Sequence, residues 1–247
     1  MKTSVVIPAT NGNFGYLNCI LRHYEDGVEI PDEIVVSISN SHLVDSGSID
    51  ALENKFKNSF ELKVLRHEET MLQGPNRDAA SKQSTGDIII SNDADDIPHP
   101  QRVDIIKRLF KENDIVQINH GYQINTDFSF VENMQVMQCE DVFNHHFPNC
   151  PDTDIRPNPH DLGFHAPYGG GLPWTIHAGN VAFSKEVFDE LSWRHTEEIA
   201  WDYDFCMDVL FRFKRSMIID APLIWYNLLN TRRTYANPKD LGNLFKE

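Results

Sequence analysis

A cluster of carboxylates that follows a short apolar run is the clearest candidate metal site in the chain. The run is Asp87-Ile-Ile-Ile-Ser91, and the acidic cluster is Asp93-Ala-Asp95-Asp96. Neighbouring carboxylates repel one another, and a hard divalent cation relieves that repulsion. Mn²⁺ and Mg²⁺ bind one or two carboxylates and complete their shells with phosphate and water oxygens. An Asp-rich turn that begins a helix has the same composition, so both interpretations stay open for this segment alone.

A second acidic position lies in the last long helical pattern, Glu197-Glu-Ile-Ala-Trp-Asp-Tyr-Asp-Phe-Cys-Met-Asp-Val-Leu210. At about 100° per residue, Asp202 falls on the apolar stripe with Phe205, whereas Asp204 and Asp208 fall on the opposite face. A carboxylate on an inward stripe can act as a general base whose pKa is tuned by partial burial. It can equally well be a charge at the helix N-terminus, where it stabilises the helix by less than about 1 kcal/mol.

The elements that would position these carboxylates are predicted from periodicity. In the first half, apolar runs typical of buried strands alternate with helical spacing. This alternation implies parallel strands, right-handed crossovers and helices on both faces of a sheet, with ligands bound at the carboxyl ends of the strands. The predicted strands are Ser4–Ile7, Glu33–Ile38, Leu62–Leu65 and Asp87–Ser91, and the predicted helices are 16–24 with Asn13 as cap, 48–56 entered at Ser48, 75–85, and one opened by Pro100.

The second half has a less regular pattern. A long segment rich in Pro, His, Asp and Gly separates two groups of predicted elements. We interpret the whole chain as one α/β domain with an elaborated second half. The predicted elements are strands at 115–124 and 128–137, the long loop at 144–174, a strand at Gly179–Phe183, a helix capped by Ser184 and ending at Leu191, a helix at 198–214, and a strand at 217–219.

Composition and charge narrow the classes of function. The chain has 247 residues, 37 acidic and 22 basic, and a formal net charge of −15. General nucleic-acid binding needs a basic surface and is therefore not expected. The apolar run after Met1-Lys2 is too short for a signal peptide or a membrane span, and the four cysteines form no CxxC pair. We therefore expect a cytoplasmic protein with no integral membrane segment. Since GxGxxG after the first strand, GxxxxGK[ST] and GxSxG do not occur, a dinucleotide dehydrogenase, a P-loop NTPase and a serine hydrolase are disfavoured.

Five segments, in order along the chain, resemble motifs of the family 2 glycosyltransferases, which have the GT-A fold. The resemblance covers about residues 3 to 214, and its specificity lies in the order and spacing of motifs that are individually short. The segments are Ser4-Val-Val-Ile-Pro-Ala-Thr-Asn11, similar to the first strand and nucleotide loop; Gly74-Pro-Asn-Arg-Asp-Ala-Ala80, similar to the stretch that leads to the metal motif; Asp93-Ala-Asp95, which matches DxD; Gly179-Asn-Val-Ala-Phe183, similar to the acceptor-side "GN.A" segment; and Trp201-Asp-Tyr-Asp204, which resembles the "ED.D" motif of the catalytic base.

The resemblance implies a role for each matching residue. Asp202 would be the catalytic base, and Asp95 would be the main ligand of a Mn²⁺ or Mg²⁺ cofactor, with Asp93 at the donor ribose or in the metal shell. One half of the single domain 1–247, residues 1–98, would bind the nucleotide sugar, and the other, 99–247 with a C-terminal tail, would bind the acceptor. The expected donor contacts are Pro8, Ala9, Thr10, Asn11, Ser39, Asn40, Arg77, Asp93 and Ala94, and the expected acceptor contacts are Trp174, His177, Gly179, Asn180 and Trp201.

The chain departs from the family pattern at three places. Ser39 or Asn40 would replace the aspartate that often holds the base ring after the second strand. Trp201 occupies the place of the glutamate of the "ED" motif, and Trp225-Tyr-Asn227 occupies the region where some members have a metal-binding histidine. The nucleobase and a third protein ligand for the metal are therefore not defined by the resemblance.

The implied reaction is transfer of a sugar from a UDP- or GDP-sugar to a hydroxyl group of a carbohydrate or glycoconjugate, by metal-assisted displacement with inversion. A retaining enzyme of the same fold remains an alternative, because it shares DxD. A sugar-phosphate nucleotidyltransferase is a second alternative, although it requires a basic, Gly-rich loop and Pro8-Ala-Thr-Asn-Gly-Asn13 has no Lys or Arg. A non-catalytic carbohydrate-binding module is a third.

Overall fold

The computed structural model of the chain describes residues 1–123, 128–146, 178–193 and 201–226. Within these ranges, nine strands form one mixed sheet. The strands are β1 (Thr3–Thr10), β2 (Glu33–Ser39), β3 (Glu61–Arg66), β4 (Ile88–Ser91), β5 (Ile97–Pro98), β6 (Gln117–Gln123), β7 (Val136–Met137), β8 (Val181–Ser184) and β9 (Ser216–Trp225). Their order is β3-β2-β1-β4-β8-β6-β9-β5, with β7 paired to β9. The α-helices are α1 (Leu17–Glu25), α2 (Ser46–Phe56), α3 (Gln73–Gln83), α4 (Arg102–Glu112), α5 (Cys139–His146), α6 (Val187–Glu190) and α7 (Trp201–Phe213).

The first four strands pair in parallel, which confirms the prediction for the first half. β1 lies between β2 and β4, and β3 pairs with the outer side of β2. Pro8 was expected to end the first strand, but β1 continues through it to Thr10. Pro8 is paired with Ser37 of β2 on one side of β1. The Val6 carbonyl oxygen accepts the N–H of Asn92, so the backbone of Val6, and of Pro8 two residues later, faces the β4 side, where β4 has already ended at Ser91. The missing N–H of Pro8 therefore breaks no hydrogen bond of the ladder.

The second half adds strands of both directions to the same sheet. β8 runs antiparallel to β4 and to β6, whereas β9 pairs in parallel with β6. Because β8 is antiparallel to its neighbours, its first residues lie at the edge where β4 and β6 end. The 3₁₀ turn Ala178–Asn180, which we call the acceptor-side turn, immediately precedes β8 and reaches the same edge.

Several element predictions for the second half are wrong. Only Val136–Met137 of the strand expected at 128–137 is a strand, and Cys139–His146 forms the unexpected helix α5. Ser184 lies in β8 and does not cap α6, whose N-cap is Glu186. The last strand is longer than predicted, since it runs to Trp225. Most of the long loop predicted at 144–174 and the first turn of the helix predicted at 198–214 lie outside the described residues.

Two helix starts also differ from the prediction. α1 follows a 3₁₀ turn at Phe14–Tyr16, and Asn13, which was expected to cap the helix, instead accepts the N–H of Thr10 on its Oδ1 at 2.6 Å. α2 begins before Ser48, because the Asp45 carboxylate caps it by accepting the Ser48 N–H at 2.8 Å. Both differences arise from short-range hydrogen bonds of Asn and Asp side chains, which favour turns and caps over helix interiors.

The sheet separates two apolar layers, and helices cover both of its faces as predicted. Alternate side chains of β1 point to opposite sides: Val5 and Ile7 pack with residues of α1, α2 and α4, whereas Val6 packs with residues of α3, α5, α6 and α7. This period of two places a continuous core on each side of the sheet. The edge at which the parallel strands end is therefore held from both faces.

Helix length and hydropathy bear on the expected absence of a membrane span. The longest described helix, α7, has 13 residues. None of the helices in the described ranges is long and apolar enough to cross a bilayer.

A buried carboxylate joins several elements at the edge of the sheet opposite the strand C-termini. Glu33 begins β2, and its side chain is completely buried. It accepts hydrogen bonds from the Ser4 hydroxyl, the Lys63 ammonium and the N–H of Thr85. Burial alone would raise the pKa of Glu33, but these hydrogen bonds outweigh burial and hold the pKa below its usual value. Glu33 therefore acts as an anion that ties β1, β3 and the start of β4 together.

We expect Glu33→Gln to lower the free energy of unfolding by about 1–3 kcal/mol at neutral pH, because an amide accepts weaker hydrogen bonds than a carboxylate. The folded-state pKa lies below the unfolded-state value of about 4.3. The wild-type chain therefore keeps this contribution above pH of about 4.3 and loses it as the pH falls through the folded-state pKa, whereas the variant has no such loss. Urea denaturation at a series of pH values measures both effects.

Glu61→Gln is the matched control for this prediction. Glu61 contacts the same Lys63 at 3.3 Å, but 52% of its side chain is exposed. Exposed ion pairs stabilise proteins by less than about 1 kcal/mol. Equal losses of stability in the two variants would contradict the role assigned to the buried carboxylate.

Candidate active site

The acidic cluster lies at the edge of the sheet where the parallel strands end. Asp93 and Asp95 lie in the loop that follows β4, after Asn92, Asn40 directly follows β2, and the loop after β1 begins at the same edge. The acceptor-side turn reaches this edge from the start of β8. The structure therefore brings together the segments for which the sequence predicted donor and acceptor contacts.

Arg77 connects the acidic cluster to the acceptor-side turn. Its guanidinium is completely buried, forms an ion pair with Asp93, and donates to the Ser91 hydroxyl and to the Ala178 carbonyl oxygen, the latter at 3.3 Å. The sequence predicted that Arg77 contacts the nucleotide. The guanidinium has no exposed surface here, and its partner Asp93 has a side chain that is 18% exposed. A contact of Arg77 with the nucleotide stays a prediction, whereas its support of Asp93 is observed.

Asp202 lies on the other side of the acceptor-side turn. Its Oδ2 accepts the N–H of Ala178 at 3.1 Å, and its Oδ1 accepts the N–H of Tyr203 at 2.9 Å. The carbonyl group of Ala178 accepts from Arg77, and its N–H donates to Asp202. Since Arg77 is also paired with Asp93, Ala178 links Asp202 to Asp93 through Arg77. Asp93 and Asp202 are therefore at the same edge of the sheet, as the predicted chemistry requires.

An aromatic stack fixes α7 against Arg77. The ring of the buried Trp193 lies 4.1 Å from that of Phe205, one turn after Asp202, and the Arg77 guanidinium lies 5.4 Å from the Trp193 ring centroid. The backbone N–H of Trp193 also donates to the Asp78 carboxylate of α3 at 3.1 Å. A cation above an aromatic face and an offset aromatic pair both have preferred separations. The stack therefore sets the distance between the helix that carries Asp202 and the arginine that holds Asp93.

Cys206 is buried next to Asp202 on α7. Burial raises the pKa of the Cys206 thiol, and the negative charge of Asp202 raises it further. The thiol therefore stays protonated near neutral pH and is neither a nucleophile nor a metal ligand in this state. Asp202 is only half-buried, so it retains surface on which a substrate hydroxyl can approach.

The loop after β1 is folded around Thr10. Asn13 accepts the Thr10 N–H at 2.6 Å and donates its own N–H to the Thr10 carbonyl oxygen at 3.2 Å. Thr10 is half-buried and Asn11 is exposed, whereas Pro8 and Ala9 are buried. Of the predicted donor contacts in this loop, Thr10 and Asn11 therefore have accessible surface, and Pro8 and Ala9 form its support.

The residues after β2 are hydrogen-bonded to the segment that precedes α3. The Ser39 hydroxyl accepts the N–H of Met71 at 2.8 Å, and the Asn40 carboxamide oxygen accepts the Thr70 hydroxyl at 2.8 Å. Asn40 has φ 55°, a left-handed conformation that asparagine adopts more readily than most residues. The two residues expected to replace a base-binding aspartate are thus used to shape this loop.

The other predicted contact residues differ in accessibility. Ala94 packs in the apolar core. Gly179 and Asn180 are buried in the acceptor-side turn, and the Asn180 Nδ2 donates to the His120 carbonyl oxygen at 2.7 Å. These residues form the wall of the site. Trp174 and His177 lie outside the described residues, and Trp201 is described only as the first residue of α7.

The acidic cluster fits a divalent cation that takes few protein ligands. In the ranges that the structure covers, no three His, Cys, Asp or Glu side chains are grouped as a metal-binding set. Mn²⁺ and Mg²⁺ bound to a phosphate-bearing substrate need only one or two carboxylates. Asp95 is half-buried, and Asp93 keeps partial exposure beside Arg77. The residues present therefore fit a cation held by Asp95, with the donor supplying the other oxygens.

Sequence reasoning missed two buried polar residues behind the acidic cluster. The Asn92 Nδ2 donates to the carbonyl oxygens of Asp93 and Asp96 at 2.6 and 3.0 Å, so the cluster wraps around this carboxamide. Arg102 begins α4 and is completely buried. Its spacing was the available signal, because Arg102 lies four residues before Ile106 on the apolar stripe of the helix, where a charge is unexpected.

Comparison with known proteins agrees with this geometry. The sequence model of the family "Glycosyl transferase family 2" matches residues 4–191. The structure of S. aureus TarS 1–349 in complex with UDP-GlcNAc aligns with a TM-score of 0.67 and 15% identity over 99% of this chain and 64% of that chain. M. tuberculosis glucosyl-3-phosphoglycerate synthase in complex with Mn²⁺, UDP-glucose and phosphoglyceric acid aligns with a TM-score of 0.56 and 16% identity over 99% of this chain and 76% of that one. No curated protein sequence matches the chain.

The fold and the edge site define a GT-A-type protein of the glycosyltransferase class. The chain belongs to glycosyl transferase family 2, whose model covers most of its length. The predicted fold class and family are thus confirmed. In another alignment with TarS 1–349, the chain covers 60% of that protein's length, and identities of this size establish the fold alone.

We expect Asp93→Asn to lower the free energy of unfolding by about 2–4 kcal/mol, because it leaves the buried Arg77 guanidinium without its carboxylate. Asp95→Asn retains that ion pair, and we expect it to cost less than about 1 kcal/mol. Urea denaturation of both variants measures the difference. A loss for Asp95→Asn as large as that for Asp93→Asn would contradict the role given to the Arg77–Asp93 pair.

Proposed function

We propose that the chain transfers a sugar from a nucleotide-sugar donor to a hydroxyl group of a carbohydrate or glycoconjugate acceptor. The observation that carries the proposal is the bridge at Ala178, which binds Arg77 through its carbonyl group and Asp202 through its N–H. This bridge puts a donor-side carboxylate and a base candidate at one edge of the sheet. UDP-GlcNAc and UDP-glucose in the compared structures support a UDP-sugar, and a GDP-sugar stays in the test panel.

An inverting single displacement fits the arrangement of the carboxylates. The acceptor oxygen attacks the anomeric carbon while its proton passes to Asp202. The bond between that carbon and the diphosphate oxygen breaks, and the nucleoside diphosphate leaves on the opposite face of the sugar. A positioned general base contributes typically about 10²–10⁴-fold to such a reaction.

The proposed cofactor is Mn²⁺ or Mg²⁺ held by Asp95, with Asp93 in its shell or at the donor ribose. Bound there, the cation supplies positive charge that neutralises the diphosphate as it leaves. The need is acute in a chain with a formal net charge of −15, since an acidic surface repels an anionic donor. Structures of the compared synthase with Mn²⁺ and with Mg²⁺ support the choice of metal.

The alternatives differ in product. Family membership favours sugar transfer over nucleotidyl transfer and over a non-catalytic module. NMR of the anomeric proton in the product separates an inverting from a retaining enzyme. The division of one domain into a donor half, 1–98, and an acceptor half, 99–247, remains a prediction, as does a cytoplasmic location.

Calorimetric titration with a panel of UDP- and GDP-sugars, with and without Mn²⁺, tests the donor site. We expect binding that requires the metal and that Asp95→Ala weakens by at least about tenfold, equivalent to about 1.4 kcal/mol. Asp95 is chosen because its replacement leaves the Arg77–Asp93 ion pair in place. The proposal fails if the wild-type chain binds no donor of the panel.

We expect Asp202→Asn to lower the rate of transfer by about 10²–10⁴-fold and to leave donor binding unchanged, because the amide cannot take the acceptor proton. Asp208→Asn is the matched control, since Asp208 is another half-buried aspartate of the same helix and is not the predicted base. Release of nucleoside diphosphate in the presence of acceptor measures the rate. A variant Asp202→Asn that transfers as fast as Asp208→Asn would show that another group is the base.

A further inference from the structure

We propose that Arg102 is a positioning residue that holds the acidic cluster and the acceptor-side turn at a fixed separation. The catalytic consequence of this clamp rests on the proposed function, whereas the clamp itself does not. Arg102 begins α4 and has no exposed surface. It lies behind the candidate site and contacts both the end of β4, which leads into the acidic cluster, and the acceptor-side turn. Sugar transfer requires these two segments at a fixed distance from each other.

All five N–H groups of Arg102 are used. Nη2 donates to the Ser91 carbonyl oxygen at 2.6 Å and to the Gly179 carbonyl oxygen at 2.7 Å. Nη1 donates to the Tyr24 hydroxyl at 3.0 Å and to the Asn92 carboxamide oxygen, and Nε donates to the His120 ring at 3.1 Å. One guanidinium thus joins the end of β4, the acceptor-side turn, α1 and β6.

The partners of Arg102 are uncharged. In the part of the chain that the structure describes, its hydrogen bonds go to two backbone carbonyl groups, a carboxamide, a hydroxyl and an imidazole. His120 must be neutral, because its Nε2 accepts from Arg102 and its Nδ1–H donates to the Gly121 carbonyl oxygen at 2.8 Å. Burial and the Arg102 charge lower the pKa of His120, which is consistent with this tautomer. A buried cation without a carboxylate partner adds little to stability, so a positioning role explains it better.

Arg102 acts where the strand pairing ends. The ladder between β4 and β8 includes Ile90 opposite Ala182 and does not continue to Ser91. Beyond that point the two backbones are joined by the guanidinium, which binds Ser91 on one side and Gly179 on the other. Removing these bonds would let the end of β4 and the acceptor-side turn move apart. Those segments carry Asp93 and the Ala178 N–H that binds Asp202.

Arg102 also orients the carboxamide inside the acidic cluster. The Asn92 oxygen accepts from Arg102 and from the Tyr24 hydroxyl, the latter at 2.8 Å. This fixes the flip of the amide, so that its nitrogen points to the carbonyl oxygens of Asp93 and Asp96. The conformation of the cluster therefore depends on Arg102 through a single side chain. Lysine has three donors on one atom and cannot satisfy five partners in these directions.

Hydrogen–deuterium exchange of the full chain tests the clamp without any substrate. We expect Arg102→Met to increase exchange at least about tenfold, equivalent to about 1.4 kcal/mol of local opening, in peptides that cover 91–96 and 178–183, and Arg102→Lys to give a smaller increase in both. Peptides from β2 should not change. Arg108→Met is the matched control, since Arg108 is exposed on the same helix. Exchange that is unchanged, or that increases in only one of the two segments, would overturn the proposal.

A kinetic measurement separates positioning from general stability. The readouts are the Kd of UDP with Mn²⁺ and the kcat for hydrolysis of UDP-GlcNAc and UDP-glucose. The variant is Arg102→Lys, so that the test can still be made if Arg102→Met does not fold. We expect its kcat to fall at least about tenfold and its Kd to change less than about threefold, because misplaced groups lower the rate more than the affinity. Glu33→Gln, a destabilised variant at the opposite edge, should retain kcat.

The outcomes distinguish the two proposals. The proposed function is overturned if the wild-type chain does not bind UDP, does not hydrolyse either donor and binds no donor of the wider panel. The exchange experiment would still decide whether Arg102 acts as a clamp. Wild-type activity together with an Arg102→Lys variant of unchanged kcat, or with equal losses in Arg102→Lys and Glu33→Gln, would overturn the positioning role alone.

Discussion

Two buried guanidinium groups meet where β4 ends, and the geometry of the site depends on them. Arg77 donates to the hydroxyl of Ser91 and Arg102 to its carbonyl oxygen. On the facing segment, Arg77 donates to the carbonyl oxygen of Ala178 and Arg102 to that of Gly179. Moving a charge out of water costs several kcal/mol unless its hydrogen bonds are replaced. Two such charges, Arg77 and Arg102, are buried side by side at the end of β4, where they hold the acceptor-side turn, a distant part of the chain, against it.

This constraint explains the arrangement of the surrounding elements. Trp193 stacks between Arg77 and α7, so the helix that carries Asp202 is packed on the same cation that holds Asp93. α4 starts at the edge of the sheet because its first residue, Arg102, is one of the two cations. Buried hydrogen bonds therefore position the partly exposed carboxylates of the site: Asp93 is held by Arg77, and Asp202 is held by the N–H of Ala178.

Much of the first half could be predicted from the sequence because its elements depend on local pattern. Isoleucine and valine runs predict buried strands, and the helical spacings between them predict parallel crossovers, which is the order observed. The second half could not be predicted in the same way. Whether 128–137 pairs over its length depends on β9, about eighty residues later along the chain, and only Val136 and Met137 find partners there. Pairing of that kind leaves no local signal.

The candidate site shows the same division. Asp93, Asp95 and Asp202 could be singled out as candidate site residues because acidic clusters and an acid on an apolar stripe are unusual locally, and the structure places them at one edge of the sheet. Arg102 gave a weaker signal: its spacing puts it on the apolar stripe of α4, but a single arginine near a helix start is normally exposed. The contact between Arg77 and Ala178 joins residues 101 positions apart, and nothing in either segment indicates the other. For the same reason, the sequence does not indicate that the Arg77 guanidinium is buried and forms an ion pair with Asp93.

The direction of β8 has a consequence for how this fold diversifies. Because that strand runs against β4 and β6, the polypeptide enters it at the edge of the sheet that holds the candidate site, through the turn that begins at Ala178. β8 keeps its pairing with β4 and β6 on both sides, so the register of the sheet does not fix the length of chain that leads into this turn. The fold can therefore tolerate a change of length there while the buried hydrogen bonds of Arg77 and Arg102 to the turn stay in place.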